Sequence, residues 1–238
     1  MKGCIVLPFY FVDYWYLVLV LPALLVSLWA QFKVKSTFNK YSQKRVASGM
    51  TGADASRCIQ RANGIQTGLE AVAGSLSDHY DPRNNTIRLS STVYGQTSVA
   101  AVGVAAHETG HALQHAEGYA PVRLRTALVP VTNFASGLSP ILVILGIMMA
   151  MDPLAYAGIV LFSVATFFQL VTLPVEFNAS RRAVVALEQS GQFTEDELTG
   201  VKKVLTAAAL TYVAALFVSL MSLLRLVLIV SGNRGRRD

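Results

Sequence analysis

Four apolar stretches constrain what this chain can fold into. They cover residues 14–30, 127–151, 154–173 and 204–230. A helix needs ~20 predominantly apolar residues to cross the ~30 Å hydrocarbon core of a bilayer, and each stretch is of about that length. Inside a bilayer every backbone N–H and C=O must be satisfied within the segment, so helices are the expected form. Composition agrees. Of 238 residues, 53% are hydrophobic and only 14% charged, against ~25% charged in ordinary soluble domains. A mainly α membrane protein is expected, with about four transmembrane helices and a modest soluble part.

Charge placement predicts the orientation. The first stretch is flanked by Tyr10, Tyr14, Trp15 and Tyr16 at one end and Trp29 at the other, as an interfacial belt would be. Lys2 is a weak n-region for a signal peptide, and Lys33, Lys35, Lys40, Lys44 and Arg45 follow the stretch instead. That order suits an uncleaved anchor with its N-terminus outside. The segments between spans one and two and between spans three and four are then cytoplasmic. They add Arg123, Arg125, Arg181, Arg182, Lys202 and Lys203, against Lys2, Arg234, Arg236 and Arg237 outside. The C-terminal arginines are discordant: either the tail is outside despite its charge, or the fourth segment does not fully cross. Arg225, within that segment, fits facing other helices, snorkelling or a shallow insertion. The net charge of +6 therefore reports topology. No basic tract with interleaved aromatics suggests nucleic acid as a partner. Cys4 and Cys58 form no C-x-x-C, so neither a disulfide framework nor a thiolate metal site is expected.

In the larger polar region, Thr51-Gly52-Ala53-Asp54 reads as a helix start. Ala55, Cys58, Ile59 and Ala62 continue a helical stripe that Asn63-Gly64 stops. Residues 69–73 have strand length. Asp81-Pro82-Arg83-Asn84-Asn85 is turn-rich, and residues 86–89 alternate as a second strand. Residues 96–115 form a helix rich in Ala and Val. The expected division is an anchor (1–30), a catalytic region (31–125), a transmembrane hairpin opened by a tight turn at Asp152-Pro153 (126–174), a cytoplasmic helix (175–203) and a last span with a basic tail (204–238).

The helix at 96–115 carries His107-Glu108-Thr109-Gly110-His111. Residues four apart share a helix face, so both imidazoles can reach one metal ion. Glu108 cannot easily bind the same ion, but it can hold a water there and take its proton. The bland alternative is a polar helix with two solvated histidines. The apolar run before His107 covers only residues 99–106, so the helix is read as juxtamembrane rather than transmembrane. A catalytic zinc takes three protein ligands and one open position. His115 is a poor third, because three consecutive turns of one helix do not converge on a tetrahedral ion. Glu176, just past the third span, is the stronger candidate. Its bland alternative is a membrane-edge carboxylate paired with Arg181 or Arg182.

His107 to His111 followed by Glu176-Phe177-Asn178-Ala179 resembles the gluzincin pattern of membrane proteases such as HtpX and the CAAX prenyl proteases. There a Glu-aromatic-x-Ala-Asp element follows the transmembrane hairpin. This chain has Ser180 where those relatives have Asp, which puts the supporting role of that Asp in doubt and opens Asn178 as a substitute. The chain is closer still to the YugP-like neutral zinc metallopeptidases of bacteria. The likeness is carried by Asp78-His79-Tyr80-Asp81-Pro82-Arg83, by Arg88-Leu89-Ser90, by residues 98–108 and by Pro174-Val175-Glu176-Phe177. It spans nearly the full length.

The resemblance implies a small α+β zincin-like catalytic domain on the cytoplasmic side of a multi-pass cell-membrane protein, with one Zn²⁺ per chain. It implies an endopeptidase in which Glu108 is the general base and His107, His111 and Glu176 bind the metal. It implies no particular substrate. The apolar setting points to membrane-embedded or membrane-emergent polypeptides. An oxyanion donor is also needed, and His79, Tyr80 and Arg181 are the candidates; His79 reads equally well as a turn residue bonding Asp78 or Asp81. By the same resemblance, the strand at 86–89 is an edge strand that pairs with the extended substrate. Two competing readings make different demands. A site-2-type intramembrane protease needs an aspartate ligand in a later span, and spans three and four contain none. A non-catalytic membrane scaffold or chaperone with a zinc site would be expected to have lost Glu108 or a ligand, and this chain has both.

Overall fold

The computed structural model describes residues 13–75 and 77–234, the last two without their side chains. Lys2, Cys4, Tyr10, Arg236 and Arg237 lie outside the described residues. The protein is a mainly α membrane protein, with one small sheet among the described residues. Among the described residues, four helices are long and apolar enough to cross a membrane, Tyr16–Ser42, Ala120–Met148, Asp152–Ser190 and Glu195–Gly232. The chain divides into two compact units. One comprises Met1–Trp29, Leu124–Thr172 and Tyr212–Asp238, the other Ala30–Arg123 and Leu173–Thr211.

The first unit is helical. A π-helical turn, Tyr16–Val20, leads into α1 (Leu21–Ser42). Pro22 has no N–H for the ladder at that point, and Leu21 N–H reaches back five residues to the Tyr16 carbonyl. α4 (Ala120–Met148) and α5 (Asp152–Ser190) form a hairpin. The turn lies at Met149–Met151, where Ala150 takes φ 57° and Met151 N–H caps the Gly146 carbonyl at 2.8 Å. Asp152-Pro153 therefore does not make the turn. It opens α5, where proline's missing N–H costs nothing. Close approach holds the hairpin together: a Cβ at Gly158 would stand 2.8 Å from Val143 N, and Ser139 Oγ donates to the Gly158 carbonyl at 2.8 Å. The last helix, α6 (Glu195–Arg234), contains Arg225. Arg225 Nε donates to Asp13 Oδ2 at 2.9 Å, and its guanidinium lies 5.4 Å from the Tyr16 ring centre. Arg225 thus faces the start of another helix.

The second unit holds the sheet and the motif helix. Thr51 and Asp54 form a capping box that starts α2 (Gly52–Ala62), as read from sequence. The sheet has three strands in the order β1 (Gly68–Val72), β3 (Thr86–Ser90), β2 (His79–Asp81). β1 runs parallel to β3, and β2 antiparallel to it with Tyr80 opposite Ile87. Two expectations are corrected here. His79 lies in a strand rather than a turn. The strand at 86–89 is central rather than an edge, because the turn through Asn85 (φ 48°) folds residues 79–81 back onto it and occupies its second side. Ile87 and Leu89 point to one face and are fully buried against Ala101, Ala105 and Ala112 of α3 (Val99–Ala116). Burying such a side chain contributes about 1.5–3 kcal/mol. Another face of α3, with Val99, Val102, Ala106 and Leu113, packs into a second cluster with Ala55 and Ile59 of α2, Ala183 and Leu187 of α5, and Val201 and Leu205 of α6. The small side chains of α3 are what allow it to be enclosed on both sides.

Candidate metal centre

α3 places His107 and His111 one turn apart, with ring centres 4.7 Å apart and planes at 80°. α5 brings Glu176 to them from 65 residues further along the chain. Its approach depends on Gly110, where a Cβ would lie 2.5 Å from the Ala179 carbonyl oxygen. Only glycine lets the two backbones come this close. Glu176 is 3% exposed, and its Oε2 lies 3.3 Å from His107 Nε2 and 3.6 Å from His111 Nε2. One ligand atom from each of the three side chains falls within 4.8 Å of the other two.

These three groups fit a zinc ion. Tetrahedral bonds of ~2.0–2.2 Å hold neighbouring ligand atoms roughly 3.3–3.5 Å apart, close to the separations found. Glu176 Oε2 is also buried without a hydrogen-bond partner. A buried carboxylate oxygen without a partner is costly, and a cation between it and the two imidazoles removes that cost. Glu176 does not pair with an arginine: Arg182 bonds Glu117 and Asn178, and Arg181 is exposed. Burial by itself would push the His111 pKa down, but the Glu176 and Glu108 carboxylates and the Gln114 amide outweigh it, and the net direction is up. The pocket therefore favours positive charge.

The outward-facing nitrogens of the two rings are also held. His107 Nδ1 lies 3.1 Å from Ser180 Oγ, and His111 Nδ1 lies 3.0 Å from Gln114 Oε1. Ser180 itself stands beside His107. Asn178 stands one step further back, accepting from Gln114 Nε2 at 2.9 Å and from Arg182 Nε at 2.7 Å. Sequence reasoning missed Gln114. Its signal was available: it lies three residues after His111, on the same helix face.

Glu108 is buried beside the pair, close enough to act on the charge of His111. The remaining candidates lie apart from the three clustered ligand atoms. His79 is exposed, its Nδ1 lies 2.9 Å from the Ser77 carbonyl, and it stands opposite Arg88 on β3. Arg88 bonds Glu70 and Asp81, so by strand alternation His79 shares the sheet face that turns away from Ile87 and Leu89. Tyr80 points to the other face. Its hydroxyl donates to Asn85 Oδ1 at 2.9 Å, its ring lies 5.9 Å from the exposed His115, and burial pushes its pKa up. Arg181 lines a cleft of about 310 Å³ with Asn178 and Glu117.

Comparison with known proteins places this geometry in context. The family described as "Putative neutral zinc metallopeptidase" matches residues 16–231. The chain is 51% identical over 220 residues, 92% of its length and 98% of the relative's, to the "Putative membrane protease YugP" of Bacillus subtilis (strain 168). No solved structure matches the chain.

Proposed function

The chain belongs to this family of neutral zinc metallopeptidases, and from that premise we propose that it is a membrane-bound endopeptidase holding one zinc ion on His107, His111 and Glu176. The observation that carries the reading is the buried, partnerless Glu176 Oε2 facing two imidazole nitrogens. When bound, zinc would supply Lewis-acid polarisation of the scissile carbonyl and lower the pKa of a water toward ~7. Glu108 then takes the proton of the attacking water and passes it to the leaving amine.

Substrate pairing passes from β3, whose two sides are filled, to the outer edge of β2. β2 is an edge strand, and Tyr80 lies against His115 of the motif helix. The catalytic region at 31–125 and the segment 175–203, where the end of α5 carries Glu176 and α6 begins, act together in this scheme, on the cytoplasmic side of the cell membrane. The lysines and arginines that follow span one, flank the start of span two and lie between spans three and four support that side.

The test is zinc content of the full chain in detergent for wild type, His107→Ala and Glu176→Ala. About one zinc in the wild type, lost in both variants, is expected. Zinc retained in Glu176→Ala would remove Glu176 from the ligand set, and no zinc in wild type prepared without chelator would overturn the enzyme reading.

A further inference from the structure

The Gln114 side chain is fully buried, and both ends of its amide are engaged. Nε2 lies 2.8 Å from the Val175 carbonyl oxygen and 2.9 Å from Asn178 Oδ1. A peptide carbonyl only accepts, so the group facing it must be the NH₂. Arg182 Nε, which only donates, fixes the Asn178 amide in the same way. Gln114 Oε1 is therefore the atom left 3.0 Å from His111 Nδ1. An amide oxygen cannot donate, so Nδ1 must carry the hydrogen. A neutral imidazole with its proton on Nδ1 has its lone pair on Nε2, and Nε2 is the nitrogen that faces Glu176.

We propose that Gln114 is a positioning residue that locks His111 into the tautomer able to bind the metal through Nε2. The Val175 carbonyl, one residue before Glu176, holds Gln114 the right way round. One buried amide thus sets the chemical form of the ligand on α3 and ties it to the backbone that carries the ligand on α5. His107 is governed differently. Its partner is the Ser180 hydroxyl, which can donate or accept, and which leaves either tautomer open. The proposal rests on His107, His111 and Glu176 being the zinc ligands.

The experiment measures zinc affinity of the full chain in detergent, by competition with a chromophoric chelator and zinc alone as the probe. It compares wild type, Gln114→Met, Gln114→Glu and His111→Ala. Gln114→Met keeps the length but removes the acceptor, and should weaken zinc binding about 10–100-fold. Gln114→Glu loses both donated hydrogen bonds but keeps an oxygen acceptor for Nδ1–H, and should stay within about 10-fold of wild type. Gln114→Met binding like wild type would overturn the proposal. So would Gln114→Glu falling as far as Gln114→Met, which is the behaviour of a residue that only ties α3 to α5. Loss of zinc in His111→Ala alone separates failure of the Gln114 role from failure of the ligand set, which would show as zinc retained in His111→Ala. A measurement without substitution guards against misfolded variants. In zinc-loaded wild type with ¹⁵N-labelled histidine, the His111 Nδ1 should carry a proton, and an unprotonated Nδ1 there would sink the proposal.

Discussion

Arg225 of α6 donates through its guanidinium to Asp13, and Asp13 at the same time accepts the Tyr16 N–H at 2.8 Å through its other oxygen. The two side chains are only 16% and 23% exposed. A charge that looked out of place in an apolar span is one half of an ion pair, and the other half caps the turn before α1. The partners are 212 residues apart in the chain. Arg225 therefore needs neither snorkelling nor a shallow insertion to be accommodated.

Breaking the pair on one side leaves a charge in an apolar setting. Asp13→Ala or Arg225→Leu should each destabilise the protein by on the order of 3 kcal/mol, and the double replacement by less than either alone. Thermal unfolding of the full chain in detergent reads this directly. Strictly additive losses would show that the two residues do not interact.

Glu108→Gln should retain about one zinc and lose peptide cleavage, because the amide can hold a water but cannot take its proton. Metal analysis and hydrolysis of a quenched peptide or casein, run on the same preparation, check both halves. Wild-type cleavage rates in the variant would remove Glu108 from its proposed role.

Gly110→Ala puts a methyl group where the Ala179 carbonyl oxygen now sits, 2.5 Å from the new carbon. α3 and α5 must separate, costing about 1–3 kcal/mol, and zinc affinity should fall because Glu176 moves with α5. Gly95→Ala, at a position with no atom within 4 Å, is the matched control and should change neither. Equal affinity in Gly110→Ala would mean that the spacing of the two helices does not set the metal centre.

Asp81 predicts an acid-sensitive sheet. Arg83, through its side chain and backbone N–H, and Arg88 hold the Asp81 carboxyl down to about 2. A carboxylate with a lowered folded-state pKa stabilises above its unfolded value of ~3.9, and that contribution is lost as pH falls from about 4 to about 2. The melting temperature of wild type should therefore exceed that of Asp81→Asn at pH 6, and the gap should narrow below pH 4. A gap independent of pH would exclude the charge as its origin.

Much of the fold is written locally. Thr51 and Asp54 mark a helix start because a capping box needs only four consecutive residues. The alternation in Thr86–Ser90 identifies β3 because strand faces repeat every two residues. β2 was not legible. His79–Asp81 is three residues long and shows no apolar alternation, and it becomes a strand only when the turn at Asn85 lays it against β3. The same pairing converts β3 from an edge into the centre of the sheet. Ser180 breaks the Glu-aromatic-x-Ala-Asp pattern, yet its hydroxyl stands at the position from which a side chain can reach His107 Nδ1.

By itself, the sequence determined four apolar spans and one helix with two histidines and a glutamate on it, because both follow from the fixed repeat of an α-helix and the thickness of a bilayer. The tertiary structure decided which carboxylate meets those histidines, which amide sets the tautomer of one of them, and where the charge of Arg225 goes. Those pairings depend on how closely particular helices approach. That distance is set by the side chains missing at the contact, such as the Cβ that Gly110 lacks opposite Ala179, and no stretch of consecutive residues contains it.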